Sequence, residues 1–488
     1  VSATLINYRT ICWMLGTFMA ALSVLMLTPL VVASGQDAIV IGAFIKGTGI
    51  TLVTAILLLI AGSGRPRQEM RPREAMLLVV LVWVMTCLFG ALPLWFTPEY
   101  ASFTNALFES TSGFTTTGAS VIGDVEALSR PVHLWRSLSH WLGGMGIVLL
   151  GLAVLPLLGH GGNALYRAEF SGSSSERLRP RILETARSLW RIYLFLTILQ
   201  FLLLIFAGMS AFDALCHAFS TLGTGGFSTR NASIAGFQSE TVEYIVILFM
   251  LLGGISFAQH FRLLVERRPR SVTRDYEVRS YLAITIAATL VITVNLLASA
   301  DFNFEPAFRA ALFQTVSVLT TTGFSTVDYS LWQPFAQLVL LVLMFAGGCT
   351  GSTASGLKVA RIVILLKLVW REFRRFTEPL GVFRIRLEGT VIPDHAIHGV
   401  LTLVFLSLLL MLVASLLLTA MGMDLLTSMS SVIASQFNVG PGLGGVGPAS
   451  NYGDLPMGAK WVLMFCMIAG RLEFYTFLVV LTPLFWRK

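Results

Sequence analysis

The string Leu319-Thr-Thr-Thr-Gly323-Phe-Ser-Thr326 recurs along the chain. Related strings are Phe114-Thr-Thr-Thr-Gly118-Ala-Ser120 and Leu222-Gly-Thr-Gly-Gly226-Phe-Ser-Thr229, and Gln436-Phe-Asn-Val-Gly440-Pro-Gly442 is a degenerate fourth. Each follows an apolar stretch of about ten residues, half of what a helix needs to cross a bilayer. Each precedes a longer apolar stretch with a small-residue mark: Gly143-Gly144, Gly253-Gly254, Gly347-Gly348 and Ala469-Gly470. The step from loop glycine to second mark is 26, 28, 25 and 30 residues, so the four copies keep register. The unit reads as helix, re-entrant half-helix, glycine loop, helix.

The surrounding composition fits a membrane. Of 488 residues, 55% are hydrophobic and 12% charged, and the mean hydropathy is +0.77. Soluble domains carry about 25% charged residues. A water-soluble enzyme, a nucleic-acid-binding module and a disordered chain are therefore excluded. Apolar runs near 11–33, 39–62, 75–96, 133–158, 190–209, 241–265, 281–299, 332–369, 396–420 and 457–486 make ten candidate spans. The expected fold is an all-α polytopic membrane protein: four pseudo-symmetric helix–pore-helix–helix repeats around a central pore, plus an N-terminal two-helix hairpin. The hairpin is assigned to 1–70 and the repeats to 71–175, 176–270, 271–390 (with an interrupted second helix) and 391–488. Arg9 ahead of the first run and Ala33-Ser34-Gly35 after it mimic a signal peptide. That run exceeds the 7–15 residues of a signal core, so a first membrane helix is expected.

The loops fall into two sets of opposite charge. One set holds Arg65, Arg67, Arg71 and Arg73, then Arg177, Arg179 and Arg181, then Arg267, Arg268 and Arg270, and totals 28 basic against 13 acidic residues. The other carries only Lys46, Arg130, Arg136, Arg230, Arg309 and Lys460 against 13 acids. Basic excess marks the cytoplasmic side, which puts both termini inside. The acidic outer face attracts cations. The five cysteines, Cys12, Cys87, Cys216, Cys349 and Cys466, form no CxxC pair and read as small apolar helix residues.

Backbone that leaves helical geometry at membrane depth is tolerated only where it is buried in protein or lines a water-filled cavity. Four such loops around one axis meet that need by lining a pore, where their carbonyls replace the hydration shell of an alkali cation. Glycine leaves the axis unobstructed, and the half-helices aim their partially negative C-terminal ends at the loops. Asn105 and Asp213, thirteen residues before their glycines, suit N-cap positions. Glu109 and His217, nine before theirs, read as braces of the loops.

With the Gly440-Pro-Gly-Leu-Gly444 variant and Gly470-Arg-Leu-Glu473, these loops make the chain resemble the TrkH/TrkG-type bacterial potassium uptake proteins of the inner membrane. The resemblance covers essentially the whole chain, including the N-terminal hairpin. It implies K⁺ as the transported ion, no organic cofactor and no covalent chemistry. It further implies filter positions at Thr116, Thr117, Gly118, Thr224, Gly225, Gly226, Thr321, Thr322, Gly323, Asn438, Val439 and Gly440. The second string has Gly223 and Gly225 where the first has Thr115 and Thr117, so imperfect filter symmetry is expected. Family members assemble as homodimers and work with a cytoplasmic nucleotide-binding regulator of the TrkA type.

Ala346-Gly-Gly-Cys-Thr-Gly-Ser-Thr-Ala-Ser-Gly356 interrupts the last helix of the third unit. Such a stretch is a poor helix. Gly347 and Gly351 form a GxxxG pair that suits tight packing, but the hydroxyls favour a loop in the cavity, and the resemblance makes it a gating loop. Its members are Gly347, Gly348, Gly351, Ser352, Thr353 and Gly356. Arg471, expected some ten residues into the last helix, is either half of a buried ion pair or a charge beside this loop that opposes cations in the closed state. Glu473 stands too far around that helix to pair with it. Lys358 is a weaker gating candidate that suits snorkelling to the interface.

Other signals carry less. Gly442-x-Gly444-x-x-Gly447 has no βαβ context for a dinucleotide, and His395 and His398 have no third ligand. Trp370-Arg-Glu-Phe-Arg-Arg-Phe376 suits either an interfacial helix on anionic lipid or, by the resemblance, docking of the regulator. An alternative of the same broad class is a Na⁺-permeable or Na⁺/H⁺-coupled symporter; a remote one, of a different class, is an intramembrane enzyme.

Overall fold

The computed structural model describes residues 6–34, 37–64, 70–146, 181–299 and 303–486. Arg65, Arg67, Arg177 and Arg179, the end of the fourth apolar run and the expected boundary at 175 lie outside the described residues. The described chain is a helical, polytopic membrane protein. Its strands, among the described residues, are the antiparallel pair β1 Arg386–Leu387 and β2 Thr390–Val391.

Helices α1 (Tyr8–Leu25) and α2 (Ala38–Ala61) form the hairpin. A Cβ on Gly16 would lie 2.9 Å from Leu59, so the glycine sets how closely the two backbones approach. The chain continues as α3 (Pro72–Trp95), α4 (Phe103–Phe114) and α5 (Arg130–Gly144). Then follow α6 (Arg181–Phe206), α7 (Ala211–Leu222), α8 (Glu240–Gly254), α9 (Phe257–Leu264) and α10 (Pro269–Arg274). The third unit comprises α11 (Tyr276–Ala298), α12 (Phe304–Leu319), α13 (Pro334–Ala346) and α14 (Val359–Thr377). The fourth comprises α15 (Asp394–Ala420), α16 (Leu425–Gln436), α17 (Met457–Arg471), α18 (Tyr475–Leu481) and α19 (Pro483–Trp486).

Six described helices are long and apolar enough to cross a membrane, and a seventh span is α8 with α9, bent by 102°. Among the described residues the uninterrupted spans are fewer than the ten apolar runs, because four of those runs are broken at a small-residue mark and one of the four continues outside the described residues. The small-residue marks are not decorations on continuous helices but their ends: α5 stops at Gly144, α8 at Gly254, α13 at Ala346 and α17 at Arg471. Glycine pairs and polar insertions are where apolar helices break, provided that neighbours satisfy the freed backbone groups. Only the third interruption was expected.

The half-helices α4, α7 and α16 have 12 residues each and α12 has 16. The N-caps of α4 and α7 lie one turn before the expected positions. Ser102 accepts from the Asn105 amide and Ser210 from the Asp213 amide, so Asn105 and Asp213 sit at the third helical position. Asn105 instead accepts from Lys460 Nζ at 2.9 Å, and Asp213 from Thr229 Oγ1 at 2.6 Å. The cysteines are free; Cys349 lies in a loop rather than a helix.

Candidate functional site

All four half-helices end alike. Thr117, Gly225, Thr322 and Val439 each donate their N–H, at 2.8 Å, to the carbonyl five residues back, at Ser112, Ser220, Ser317 and Ala434. The residues before them donate three back: Thr116 to Gly113, Thr224 to Thr221, Thr321 to Val318 and Asn438 to Ser435. This pair of bonds is the Schellman ending, which requires a left-handed residue at its corner, usually glycine. Here the corner is Thr116, Thr224, Thr321 or Asn438, with φ of 55°, 52°, 54° and 54°. A left-handed residue with a branched side chain is uncommon and marks sites where surrounding structure holds strain. The glycines two residues on are also left-handed, at +79° for Gly118, +85° for Gly226, +80° for Gly323 and +97° for Gly440. The backbone is thus fourfold even where the side chains are not.

The glycines close a ring. A Cβ on Gly118 would strike the carbonyl of Gly225, one on Gly226 that of Thr322, one on Gly323 that of Val439, and one on Gly440 that of Thr117. Each unit packs its glycine against the carbonyl preceding the next unit's glycine, and the fourth returns to the first. Side chains tie the rim. Asn438 Nδ2 donates to Thr117 Oγ1 at 2.9 Å and to Met467 O at 3.1 Å. The hydroxyls of Thr115 and Thr117 lie 2.8 Å apart, and those of Thr320 and Thr322 2.7 Å.

Glu109 and His217 hold the chain just outside the ring. Glu109 is fully buried and accepts from Arg136 Nε at 2.8 Å, Ser120 Oγ at 2.9 Å and Val121 N at 3.0 Å. His217 Nε2 meets Ser228 Oγ at 2.9 Å, and its Nδ1 the carbonyl of Asp213 at 2.7 Å. Beyond the ring a vestibule of about 180 Å³ is reached by every unit's loop, through Gly118, Gly226, Gly323 and Pro441 among others.

On the opposite side a cavity of about 80 Å³ lies among residues 350–358, Gly144, Gly470, Arg471 and Glu473. Residues 347–358 form a loop there, not a GxxxG-packed helix. Gly347, Gly351 and Gly356 have φ of 72°, 77° and 82°, and Gly347 packs on the Ser355 carbonyl. The loop supplies the partners that the broken α8 needs: Cys349 N donates to Gly254 O at 2.8 Å, and Thr353 Oγ1 to Gly253 O at 3.1 Å. In return Gly351 O accepts from Phe257 N at the start of α9; within the third unit Gly348 O accepts from Val359 N at the start of α14. Among the described residues, buried Ser352 Oγ has no hydrogen-bond partner. Ser355 N reaches the ring, donating to Thr321 Oγ1 at 2.8 Å.

Arg471 is the last residue of α17 rather than a mid-helix residue. Its Nη1 donates to Thr353 O at 3.1 Å and Ser355 Oγ at 3.0 Å, and its Nη2 to the carbonyls of Gly143 and Gly144. The guanidinium thereby satisfies the broken end of α5, where the helix dipole favours a cation, and holds the loop at the same time. Glu473 pairs with Arg361 at 2.5 Å. Lys358 does not snorkel: it is buried, and its Nζ donates to Ala354 O. Glu277 was not anticipated; its Oε1 accepts from Thr350 N at 2.6 Å, Thr350 Oγ1 at 2.9 Å and Ala360 N at 3.2 Å. The sole signal in the sequence is an acid at the mouth of an apolar run.

Comparison with known proteins agrees with this geometry. Residues 43–485 match the family described as TrkH, cation transport protein. The Trk system potassium uptake protein TrkH of Halomonas elongata is 41% identical over 99% of this chain and 100% of its own length. TrkG of Escherichia coli K12, also named a Trk system potassium uptake protein, is 34% identical over 99% of both chains. The crystal structure of the potassium transporter TrkH from Vibrio parahaemolyticus superposes with a TM-score of 0.89 at 37% identity, covering 99% of this chain and all of that one. Fourfold loops, broken second helices and end-to-end relatives converge on one conclusion: the chain belongs to the TrkH family of cation transport proteins.

Proposed function

We propose that this chain takes up potassium across the bacterial inner membrane, with both termini cytoplasmic, through the ring of Thr116–Gly118, Thr224–Gly226, Thr321–Gly323 and Asn438–Gly440. The reading rests on one observation, the closed cycle in which each glycine packs against the next unit's carbonyl. A dehydrated monovalent cation needs oxygens from all sides at fixed radius, and rigid backbone carbonyls supply them without a side chain in the path. Relatives named as potassium uptake proteins support K⁺ as the cargo.

In this reading the loop of Gly347, Gly348, Gly351, Ser352, Thr353 and Gly356, with Lys358 and Arg471, is the closed gate beneath the ring. Two cations there oppose a third, and the loop opens when its anchors at Arg471 and Thr321 part. The relatives' place in a Trk system supports companion subunits. A TrkA-type nucleotide-binding regulator docks on the inner end of α14, where Trp370, Phe373 and Phe376 are exposed among arginines, and the transporter works as a homodimer. The division into hairpin 1–70 and repeats 71–175, 176–270, 271–390 and 391–488 assigns one pore loop to each repeat.

The test is K⁺ and Na⁺ uptake in a strain stripped of other potassium systems, comparing wild type with Gly118→Ser and Gly323→Ser. Both variants lose K⁺ uptake or K⁺ preference. Unchanged uptake and preference in both overturns the filter assignment.

A further inference from the structure

His140, on α5, is fully buried one turn before the Gly143-Gly144 break. Its ring stacks on Phe227, the residue after Gly226, with centroids 4.1 Å apart and planes at 21°. Nδ1 lies 3.4 Å from Phe227 N and 3.3 Å from Ser220 Oγ. A backbone N–H can only donate, so Nδ1 is the bare nitrogen of a neutral imidazole. A Cβ on Gly225 would fall on the atoms of this imidazole, and one on Gly223 would lie 2.5 Å from the His140 carbonyl. The side chain therefore fills the space behind Gly225, between Ser220 and Phe227, while its backbone carbonyl closes on Gly223.

The other units show what it replaces. Counting back three residues from Gly143, Gly253, Gly347 and Gly470 gives His140, Met250, Met344 and Met467, all fully buried. Three of these marks also share a contact. Gly143, Gly253 and Gly470 face the carbonyls of Phe114, Leu222 and Gln436, each four residues before its unit's glycine. At the loop positions that in the second unit are Gly223 and Gly225, the others carry Thr115 and Thr117, Thr320 and Thr322, or Phe437 and Val439. Histidine thus occurs in one unit of four, and the glycine pair occurs in the one loop against which that histidine packs.

We propose that His140 is a specificity-determining positioning residue. Its imidazole stands in for the threonine hydroxyl pair that backs the first and third loops, and fixes the Gly225 carbonyl that packs against Gly118. This rests on the reading of the ring as a potassium filter. Methionine at 140 leaves the Phe227 amide without its acceptor and exchanges the flat ring behind Gly225 for a flexible chain, so that quadrant yields to a smaller ion.

The experiment measures the K⁺-to-Na⁺ uptake ratio of the full-length chain in proteoliposomes. His140→Met lowers the ratio by about fivefold to tenfold, the scale of one buried hydrogen bond. The double variant His140→Met/Gly225→Thr puts a side chain behind the second loop where the first and third carry Thr117 and Thr322, and restores the ratio. Gly223 is kept, because a Cβ there would meet the His140 backbone carbonyl whatever the side chain. His140→Asn, which keeps an acceptor near Nδ1, falls between. A wild-type ratio in His140→Met, or a double variant no better than the single one, overturns the inference. If His140→Met is lost from the membrane, recovery of the double variant to wild-type abundance supports the inference and its loss overturns it. Gly323→Ser runs alongside. An unchanged ratio there sinks the filter reading, whereas a changed ratio with His140→Met silent sinks this inference alone.

Discussion

Ser355 donates its backbone N–H to the Thr321 hydroxyl at 2.8 Å, so the loop that interrupts the third unit touches the ring at its strained left-handed corner. Thr321→Val keeps the branched shape and removes the acceptor. Leaving a buried N–H unpaired costs about 1–3 kcal/mol, which weakens the resting position of the loop. Basal Rb⁺ flux in proteoliposomes should rise several-fold with K⁺ preference retained. A variant with wild-type basal flux would show that this bond does not hold the gate.

Left-handed glycines are not equivalent here. Gly226→Ala brings both the cost of a left-handed alanine, about 1–2 kcal/mol, and a collision with the Thr322 carbonyl. Gly208, at φ +95° after α6, has nothing within 4 Å of its Cβ position. Uptake measured at equal membrane abundance should vanish in Gly226→Ala and persist in Gly208→Ala. Equal activity in the two would mean that the cyclic contact is not needed for transport.

Among the described residues Arg471 serves four acceptors from two elements, a task for the planar fork of a guanidinium rather than a point charge. Arg471→Lys should therefore leak nearly as much as Arg471→Ala, although it keeps the charge. Flux through reconstituted protein, with thermal stability recorded for both, checks this. A tight Arg471→Lys would reduce the residue's role to electrostatics.

Asp424 caps α16 by accepting from Thr427 N at 2.9 Å. Hydrogen bonding to Thr427 holds its carboxyl below the usual carboxylate range. A depressed folded-state pKa contributes stability above the unfolded value near 4 that is lost as pH falls through the folded value. Asp424→Ala should cost about 1 kcal/mol, as side-chain caps do, and the gap to wild type should close on acidification below about pH 4. Thermal unfolding in detergent across that range measures it; a constant gap would assign the loss to packing.

How much of this was readable before the structure differs residue by residue. Gly118, Gly226, Gly323 and Gly440 were legible because their register repeats and because a half-length apolar stretch can only be re-entrant. The Gly143-Gly144, Gly253-Gly254 and Ala469-Gly470 marks were legible as marks but not as helix ends, since a glycine pair in an apolar run suits close packing as well as a break. What decides is whether a distant group satisfies the freed carbonyls. For Gly144 that group is Arg471, 327 residues away. His140 and Glu277 were invisible for the same reason: one histidine or one acid among apolar residues carries no period. Ser102 and Ser210 lost to Asn105 and Asp213 because counting from the glycine fixed the helix start a turn late.

The cyclic glycine-to-carbonyl contact also constrains how this gene can drift. In an assembly of identical subunits one mutation strikes every quadrant together, whereas here four unlike segments on a single thread change one by one. Each must still present the same surface to the quadrant beside it. Divergence is therefore pushed outward, into the side chains behind the ring and the helices that face them, while the inner wall keeps a symmetry its letters have largely abandoned.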